Sequence, residues 1–264
     1  MKATRINLPG LLFLAALAAS WQAAALAVGS RGFPGFLDVA RALIHDAPTI
    51  AGALAVTLGR AFAGFAIALA LALPAGVLFG RVRALRELAE PVIELIRPLP
   101  AIAVIPVGMI FFGIGSAAKI AVVVYGAAFP ILINAMEAVS GAHPMLETVA
   151  RSFGLSRLAI MTEIDLPAAL PQIVAGIRIS LALSVLLAVV SEMILSSDGL
   201  GTYLVRAQQS FELSRVLAAL LVIALAALAI NAAMLAVEHR LLAWHDARQA
   251  GAAGHAADGG QTGA

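Results

Sequence analysis

Side chains that could perform chemistry are few in this sequence, and they do not stand at catalytic or metal-ligand spacing. The chain has no cysteine, which excludes thiolate chemistry, disulfides and Cys-ligated metal sites. The five histidines show no ligand spacing, so we expect them in loops or at interfaces. We therefore predict no catalytic residue, no metal site and no cofactor. The histidines are His45, His143, His239, His245 and His255.

The sequence also lacks the common phosphate-binding motif of nucleotide hydrolases. The only lysines are Lys2 and Lys119, and neither completes the Gly-x-x-x-x-Gly-Lys-Ser/Thr loop that cradles phosphates. The segment from Gly113 to Lys119 comes near that pattern but lacks the Gly-Lys pair. The chain itself is therefore expected not to hydrolyse ATP.

Two charges in one apolar segment, Arg178 and Glu192, are candidates for function, because ionisable groups inside a membrane are costly and are retained for a role. On one helix they would share a face about 21 Å apart, too far to pair. For Glu192, a structural or gating role and a substrate contact both remain open. Asn134 and Tyr125, in another apolar segment, are further candidates to line a transport pathway.

The composition fixes the kind of element that must position these residues. Hydrophobic residues make up 62% of the 264 residues and charged residues 12%, with a mean hydropathy of +0.99. A water-soluble domain of this length could not bury so much apolar surface. The net charge of +2 gives no basis for nucleic-acid binding. The chain is predicted to be an all-α protein that spans the lipid bilayer several times.

Six transmembrane helices are predicted from apolar runs of about 20 residues. The second, Ala61–Gly80, is expected to extend backwards as a helix over Thr49–Gly59. The predicted spans are Leu8–Val28, Ala61–Gly80, a third between Pro91 and Ala118, Ile120–Met136, Pro171–Leu195 and Val216–Val237.

The distribution of Lys and Arg indicates the orientation of the chain. If the N-terminus is cytoplasmic, the segments on the same side of the membrane carry the excess of these residues. Both termini are therefore predicted to be cytoplasmic. Leu8–Val28 also fits a cleavable signal peptide with an Ala25-Leu26-Ala27 cleavage site, but we expect it to be retained as a span. Residues 1–245 are predicted to form one transmembrane domain. Residues 246–264, rich in Gly and Ala, are predicted to be a disordered cytoplasmic tail.

The third span contains three prolines, Pro98, Pro100 and Pro106, each of which removes a backbone donor. A broken helix at membrane depth is tolerated where protein or a watery cavity satisfies the freed carbonyls. This span is therefore the main candidate for the transport pathway, and a kinked packing helix is the alternative.

One connecting segment, residues 141–170, is longer than the others. Its apolar residues recur at helical intervals, are interrupted by Gly154 and are followed by Pro167. We predict two short amphipathic helices with a glycine hinge, closed by Pro167, on the cytoplasmic face of the membrane. A connector that rests in the lipid headgroups is the alternative.

This segment resembles the signature of the permease subunits of bacterial ABC importers: Glu-Ala-Ala, three residues, Gly, nine residues, Ile, one residue, Leu-Pro. The residues that match at the correct spacing are Ala150, Gly154, Ile164, Leu166 and Pro167. The departures are at the start of the motif, where Val149 replaces the first Ala and Thr148 stands in the place of the Glu.

Within that superfamily the chain is most similar to the nitrate/sulfonate/taurine-type permeases, from about residue 50 to residue 245. The segments that carry this likeness are Leu58-Gly59-Arg60, Ala63-Gly64-Phe65, Arg97-Pro98-Leu99-Pro100, Ile105-Pro106, Phe112-Gly113-Ile114-Gly115, Leu166–Pro171, Gly176-Ile177-Arg178, Ser191-Glu192 and Gly199-Leu200-Gly201.

The resemblance implies the fold of methionine- and molybdate-importer permeases and a homodimer in the bacterial inner membrane. It further implies two cytoplasmic ATPase subunits, which the five matching residues would couple to the membrane domain, and a periplasmic substrate-binding protein. The family's substrates include sulfonates, taurine, nitrate and other small organic molecules. An ion-coupled secondary transporter that uses Glu192 or Glu137 is the alternative, although it leaves the signature unexplained. A membrane enzyme lacks any catalytic constellation.

Overall fold

The computed structural model describes residues 8–29, 32–141, 149–195 and 197–259, and these residues form helices and connecting turns without a strand. Residues 149–152 are helical as well. A short 3-10 turn, Ala101–Val104, precedes α5, and a π-helical turn, Met161–Asp165, joins α7 to α8. The helices are α1 Leu8–Val28, α2 Phe36–His45, α3 Ala47–Arg81, α4 Arg83–Ile96, α5 Ile105–Phe112, α6 Ser116–Ser140, α7 Arg157–Ile160, α8 Leu166–Ile194, α9 Leu200–Gln209 and α10 Leu213–Gly259.

Four helical stretches are long and apolar enough to cross a membrane, and a bent pair, α4 with residues 101–112, forms a fifth if it counts as one span. Over Leu12–Val28, α1 is apolar but shorter than the other candidates. The described residues thus contain four or five of the six predicted spans. The four long stretches are Ala47–Arg81, Ser116–Ser140, Met161–Ile194 and Leu213–Ala243.

The break in the third span is confirmed, because its two helical parts meet at 91°. Pro100 has no N–H to donate to the carbonyl oxygen of Ile96, the acceptor four residues earlier. That oxygen instead accepts from the Leu99 amide, at 3.0 Å, and from the Tyr125 hydroxyl of α6, at 3.0 Å. A polar side chain from a neighbouring helix thereby satisfies the carbonyl that the proline leaves free.

The chain divides into two compact units. In the first, formed by residues up to Gly59 and by Val189–Ala226, the core contains Ile50, Leu200, Leu204 and Ala219. In the second, formed by Arg60–Ala188 and the residues from Ala227 onward, helices α3, α6 and α8 supply the core. Its buried residues include Ala68, Ala72, Ala127, Ile131, Ala135, Val139, Ala169 and Ile173.

Close helix packing in the second unit depends on three glycines. A Cβ at Gly76 or Gly80 of α3 would lie 2.6 Å from a backbone oxygen of α6, and a Cβ at Gly176 of α8 would lie 2.7 Å from the Pro130 oxygen of α6. Real Cβ atoms do not approach so closely. Only glycine lets the backbones of α3, α6 and α8 meet at this distance.

The last helix, α10, continues to Gly259 and so includes residues 246–259 of the predicted tail. Alanine, the best helix former, is frequent in this stretch.

Candidate coupling site

The coupling segment, residues 149–167, begins with a helical turn that ends at Gly154. The Leu155 amide donates to the Ala150 oxygen and the Gly154 amide to the Arg151 oxygen, at 3.2 and 2.9 Å. With Gly154 at a φ of +78°, these two bonds form a Schellman motif. The predicted glycine hinge is thus a helix terminator that requires a left-handed backbone.

The next helix starts at once, because the Ser156 hydroxyl accepts a hydrogen bond from the Ala159 amide at 3.1 Å. This is N-capping of α7, which satisfies an amide that otherwise lacks a partner. The sequence motif did not identify Ser156, although a serine one residue before a helix is a recognisable start signal.

Pro167 does not close the second helix as predicted. It is the second residue of α8. The π-helical turn Met161–Asp165, with the Leu166 amide bonded to the Met161 oxygen, carries the helical path from α7 into α8, so Pro167 lies within a continuous helix. From α7 onward the coupling segment is therefore continuous with a long apolar helix.

The signature residues differ in their exposure. Ala150 is buried, and Ile164, Leu166 and Pro167 are half-buried, so these four pack against the protein. Gly154 is exposed, and a Cβ at this position would meet no atom within 4 Å. Beside it, Phe153 is 81% exposed and Val149 is exposed one helical turn earlier, where i and i+4 share a face.

An ion pair ties the coupling segment to α3. Arg81, the last residue of α3, contacts the carboxylate of Asp165 at 3.0 Å, and Asp165 is 3% exposed at the end of the π-helical turn. A cavity of about 450 Å³ lies beside this pair, lined by apolar side chains of α3, the π-helical turn and α8, with Arg81 at its edge. The sequence analysis did not connect these residues, which are 84 positions apart.

Glu192 lies in what we call the cap cluster, formed by Thr57, Glu192, Gly199, Leu200 and Gly201. Its carboxylate is fully buried and accepts from the Thr57 hydroxyl at 2.7 Å and from the Gly201 amide at 3.1 Å. The Leu200 amide donates to the Thr57 hydroxyl oxygen at 2.8 Å. The first two amides of α9 are therefore capped by a carboxylate and a hydroxyl, and the negative charge at this helix terminus is favourable.

The remaining pathway candidates fall into two groups. Pro98, Pro100 and Pro106 are exposed at the bend of the third span. Tyr125 and Asn134 instead make internal hydrogen bonds, Tyr125 to the Ile96 oxygen and Asn134 to the Pro130 oxygen at 2.8 Å. Asn134 also stands at the close approach of Gly176 to α6.

Three further basic side chains lie on long apolar helices. Arg178 pairs with Glu238 of α10 at 2.9 Å, in agreement with the prediction that it cannot reach Glu192. Arg60 donates to the Ser116 hydroxyl at 2.9 Å and is 5% exposed. Lys119 is fully buried in the first turn of α6.

A second polar cluster, which the sequence analysis missed, joins Asp46 to Tyr203 and Arg215. The Tyr203 hydroxyl donates to Asp46 at 2.7 Å, and Arg215 contacts the same carboxylate at 2.7 Å. The hydrogen bonds from Tyr203 and His45, followed by the charge of Arg215, lower the pKa of Asp46 below its usual 3.8. Burial and the bond to Asp46 raise the pKa of Tyr203.

Metal ligands are not grouped in the part of the chain that the structure describes, where no three His, Cys, Asp or Glu side chains come together.

Comparison with known proteins agrees with this arrangement. Residues 68–243 match the family described as Binding-protein-dependent transport system inner membrane component. The taurine transport system permease protein of Escherichia coli is 31% identical over 236 residues, which cover 85% of each chain. The bicarbonate transport system permease protein of Synechococcus elongatus is 32% identical over 168 residues, or 63% of this chain and 60% of that one.

Among solved structures, the inward-facing MetNI methionine ABC transporter superposes with a TM-score of 0.63 at 22% identity, over 73% of this chain and 96% of that chain. The fold and the coupling segment thus define a multi-pass membrane permease of the ABC transporter class. The chain belongs to the binding-protein-dependent transport system inner membrane component family, and the predicted resemblance to its nitrate/sulfonate/taurine-type members is confirmed.

Proposed function

We propose that this chain is the permease subunit of an ATP-driven importer that moves a small solute from the periplasm to the cytoplasm of a bacterium. Two copies would form the membrane pathway, two ATPase subunits would bind the coupling segments, and a periplasmic binding protein would deliver the solute. The observation that carries this proposal is the coupling segment, where exposed residues next to Gly154 lie just before a helical path, α7 and the π-helical turn, that runs into a long apolar span.

The proposed topology has six spans with both termini in the cytoplasm. It places the coupling segment, the Arg81 end of α3 and the C-terminal end of α10 on the cytoplasmic side. The excess of Lys and Arg in the same segments supports this orientation.

Docking of the ATPase would use the exposed face at Val149 and Phe153. An exposed phenylalanine on a rigid helical turn is typical of the aromatic anchors that dominate protein interfaces. The free space around the Gly154 Cα would let a partner backbone approach closely, because no Cβ is present. The half-buried Ile164, Leu166 and Pro167 would hold the base of the segment against the membrane domain.

Ion coupling through Glu192 is the alternative function. The geometry of the cap cluster favours a structural role, because the carboxylate already accepts hydrogen bonds from Thr57 and Gly201. The Leu200 amide is bonded to the same Thr57 hydroxyl, so Glu192 and Thr57 together hold the start of α9.

The substrate class is proposed from the relatives, which are named for taurine and bicarbonate transport. We propose a sulfonate, taurine, nitrate, bicarbonate or a related small molecule that carries an oxyanion group. The exposed bend at Pro98, Pro100 and Pro106, covered by the second copy, is the proposed pathway surface. Tyr125 and Asn134 are assigned to support of the bend and of helix packing because of their internal hydrogen bonds.

Uptake into inverted and right-side-out membrane vesicles tests the proposal, with labelled taurine, an alkanesulfonate, nitrate and bicarbonate as probes and the cognate ATPase and binding protein present. We expect uptake of at least one probe to require ATP and to persist when a protonophore collapses the ion gradient. Uptake that collapses with the gradient and ignores ATP would establish the ion-coupled alternative.

A further inference from the structure

We propose that Arg81 and Asp165 are positioning residues that form a latch, through which displacement of the coupling segment is passed to α3. The inference rests on the proposed function, since it concerns how the bound ATPase moves the membrane domain. Neither residue belongs to the permease signature, in which the position of Asp165 between Ile164 and Leu166 is unspecified.

The latch connects two elements that are far apart in the sequence, because its two residues are 84 positions apart. Arg81 ends α3, and Asp165 ends the π-helical turn between α7 and α8. The guanidinium nitrogen and the carboxylate oxygen are 3.0 Å apart, within the range of a charge-assisted hydrogen bond. Because Asp165 is 3% exposed and Arg81 is 26% exposed, solvent screens this pair less than a surface pair.

A polar contact accompanies apolar packing at this place. Leu73 and Val77 of α3 and Leu166 of α8 pack against the buried Ala169 and Ile173. Leu78, Arg81 and Met161 also line a partly open groove of about 450 Å³. The Arg81–Asp165 pair adds a direct polar contact between the end of α3 and the π-helical turn.

Without the Arg81–Asp165 pair, a change of conformation in the π-helical turn would keep movement of the coupling segment from reaching α3. Such turns are rare, are found at functional sites, and hold one residue more than the α-helical path. Conversion to an α-helix would rotate the preceding residues by about 100° relative to α8, since each residue of an α-helix turns by that angle. With Asp165 held by Arg81, the last residue of the turn is fixed to α3, and a push on Phe153 moves α3 together with the base of α8.

Variants of the two residues in the complete transporter, purified with its ATPase and reconstituted in proteoliposomes, test the latch. We expect Arg81→Gln and Asp165→Asn to copurify with the ATPase as the wild type does and to hydrolyse ATP at a similar rate. The number of solute molecules transported per ATP should fall about tenfold, within the range of typical coupling between distant sites. Arg81→Lys keeps the charge and should retain most of the coupling.

A matched control lies two residues further along the chain. Arg83 and Glu87 form an exposed pair at 2.7 Å within α4, so Arg83→Gln removes the same chemistry without touching the latch. It should leave transport per ATP unchanged. A thermal unfolding measurement on each variant, together with the double variant Arg81→Gln/Asp165→Asn, separates uncoupling from loss of structure.

The outcomes distinguish the latch from the proposed function. Wild-type transport per ATP in both single variants, in a transporter that is ATP-driven, would overturn the latch and leave the importer proposal intact. Loss of assembly or of folding in the single variants and in the double variant would also overturn it, because the pair would then be a structural contact only. A wild-type chain that neither binds an ATPase nor shows ATP-dependent uptake would refute the proposed function itself.

Discussion

Each of two regions of this permease buries a carboxylate, and they use it differently. In the cap cluster, Glu192 accepts hydrogen bonds from neutral donors, and Gly199 and Gly201 pack so closely that a Cβ at either would lie 2.2 Å from a neighbouring atom. In the coupling segment, Asp165 pairs with a cation from another helix, beside a cavity and inside a π-helical turn. Close packing holds the first region, whereas an ion pair beside a partly open groove holds the second.

The largest effect is expected from adding a methyl group to a glycine of the cap cluster. In Gly201→Ala the new Cβ would lie 2.2 Å from the Val189 backbone oxygen, which no side-chain rotation can relieve. We expect a loss of about 3 kcal/mol or more, at the upper end of overpacking effects, seen as low yield and a lower Tm in detergent.

The control for this substitution is Gly52→Ala, in α3 of the same compact unit, where a Cβ meets nothing within 4 Å. It should stabilise the helix by about 0.5–1 kcal/mol, since alanine is the better helix former. If both variants unfold at the wild-type temperature, the cap cluster is not closely packed.

A smaller effect is expected from the exposed phenylalanine of the coupling segment. Phe153→Ala removes the proposed aromatic anchor, and we expect the Kd for the ATPase subunit to rise about tenfold or more, as for other interface anchors. Microscale thermophoresis with the purified ATPase would measure it.

Phe211→Ala is the matched control, because Phe211 is 88% exposed but lies between α9 and α10, on the proposed periplasmic side. It should leave ATPase affinity unchanged. Equal losses in the two variants would contradict both the docking surface and the proposed topology.

The smallest effect concerns pH and the Asp46 cluster, which belongs to the same compact unit as the cap cluster. Because the pKa of Asp46 is lowered in the folded protein, its contribution is complete above the unfolded pKa and disappears as pH falls through the folded pKa. Asp46→Asn should therefore cost about 0.5 kcal/mol at neutral pH, typical of a partly exposed ion pair, and the difference should shrink as the pH falls below the usual pKa of 3.8. A Tm difference that does not shrink as the pH is lowered through the acid range would exclude this explanation.

Much of the fold could be predicted because long apolar runs determine membrane helices directly. The helix Leu8–Val28 has the predicted bounds, the extension of the second span over Thr49–Gly59 is confirmed, and the prolines placed the break in the third span. Gly154 was identified because it interrupts the helical spacing of apolar residues and matches the glycine of the signature, and the structure gives it a left-handed backbone.

Features that depend on residues far apart in the chain could not be predicted in this way. The Arg81–Asp165 pair joins residues 84 positions apart, and the Thr57–Glu192 bond joins residues 135 positions apart. Pro167 was interpreted as a helix end, because the sequence does not show that a π-helical turn precedes it. Tyr125 and Asn134 were assigned to a pathway because they are polar, and only the structure shows the carbonyls that they satisfy.

The central claim, that ATP drives transport through the coupling segment, is tested most directly by Gly154→Asp in the reconstituted transporter. The matched control is Gly29→Asp, since Gly29 also has a positive φ at an exposed helix end, where a Cβ would come no closer than 4.0 Å to a neighbouring atom, the Leu26 oxygen. We predict that Gly154→Asp reaches the membrane in normal amounts but transports at least about tenfold less solute per ATP, whereas Gly29→Asp transports as the wild type does. Unchanged transport per ATP in Gly154→Asp would contradict the account.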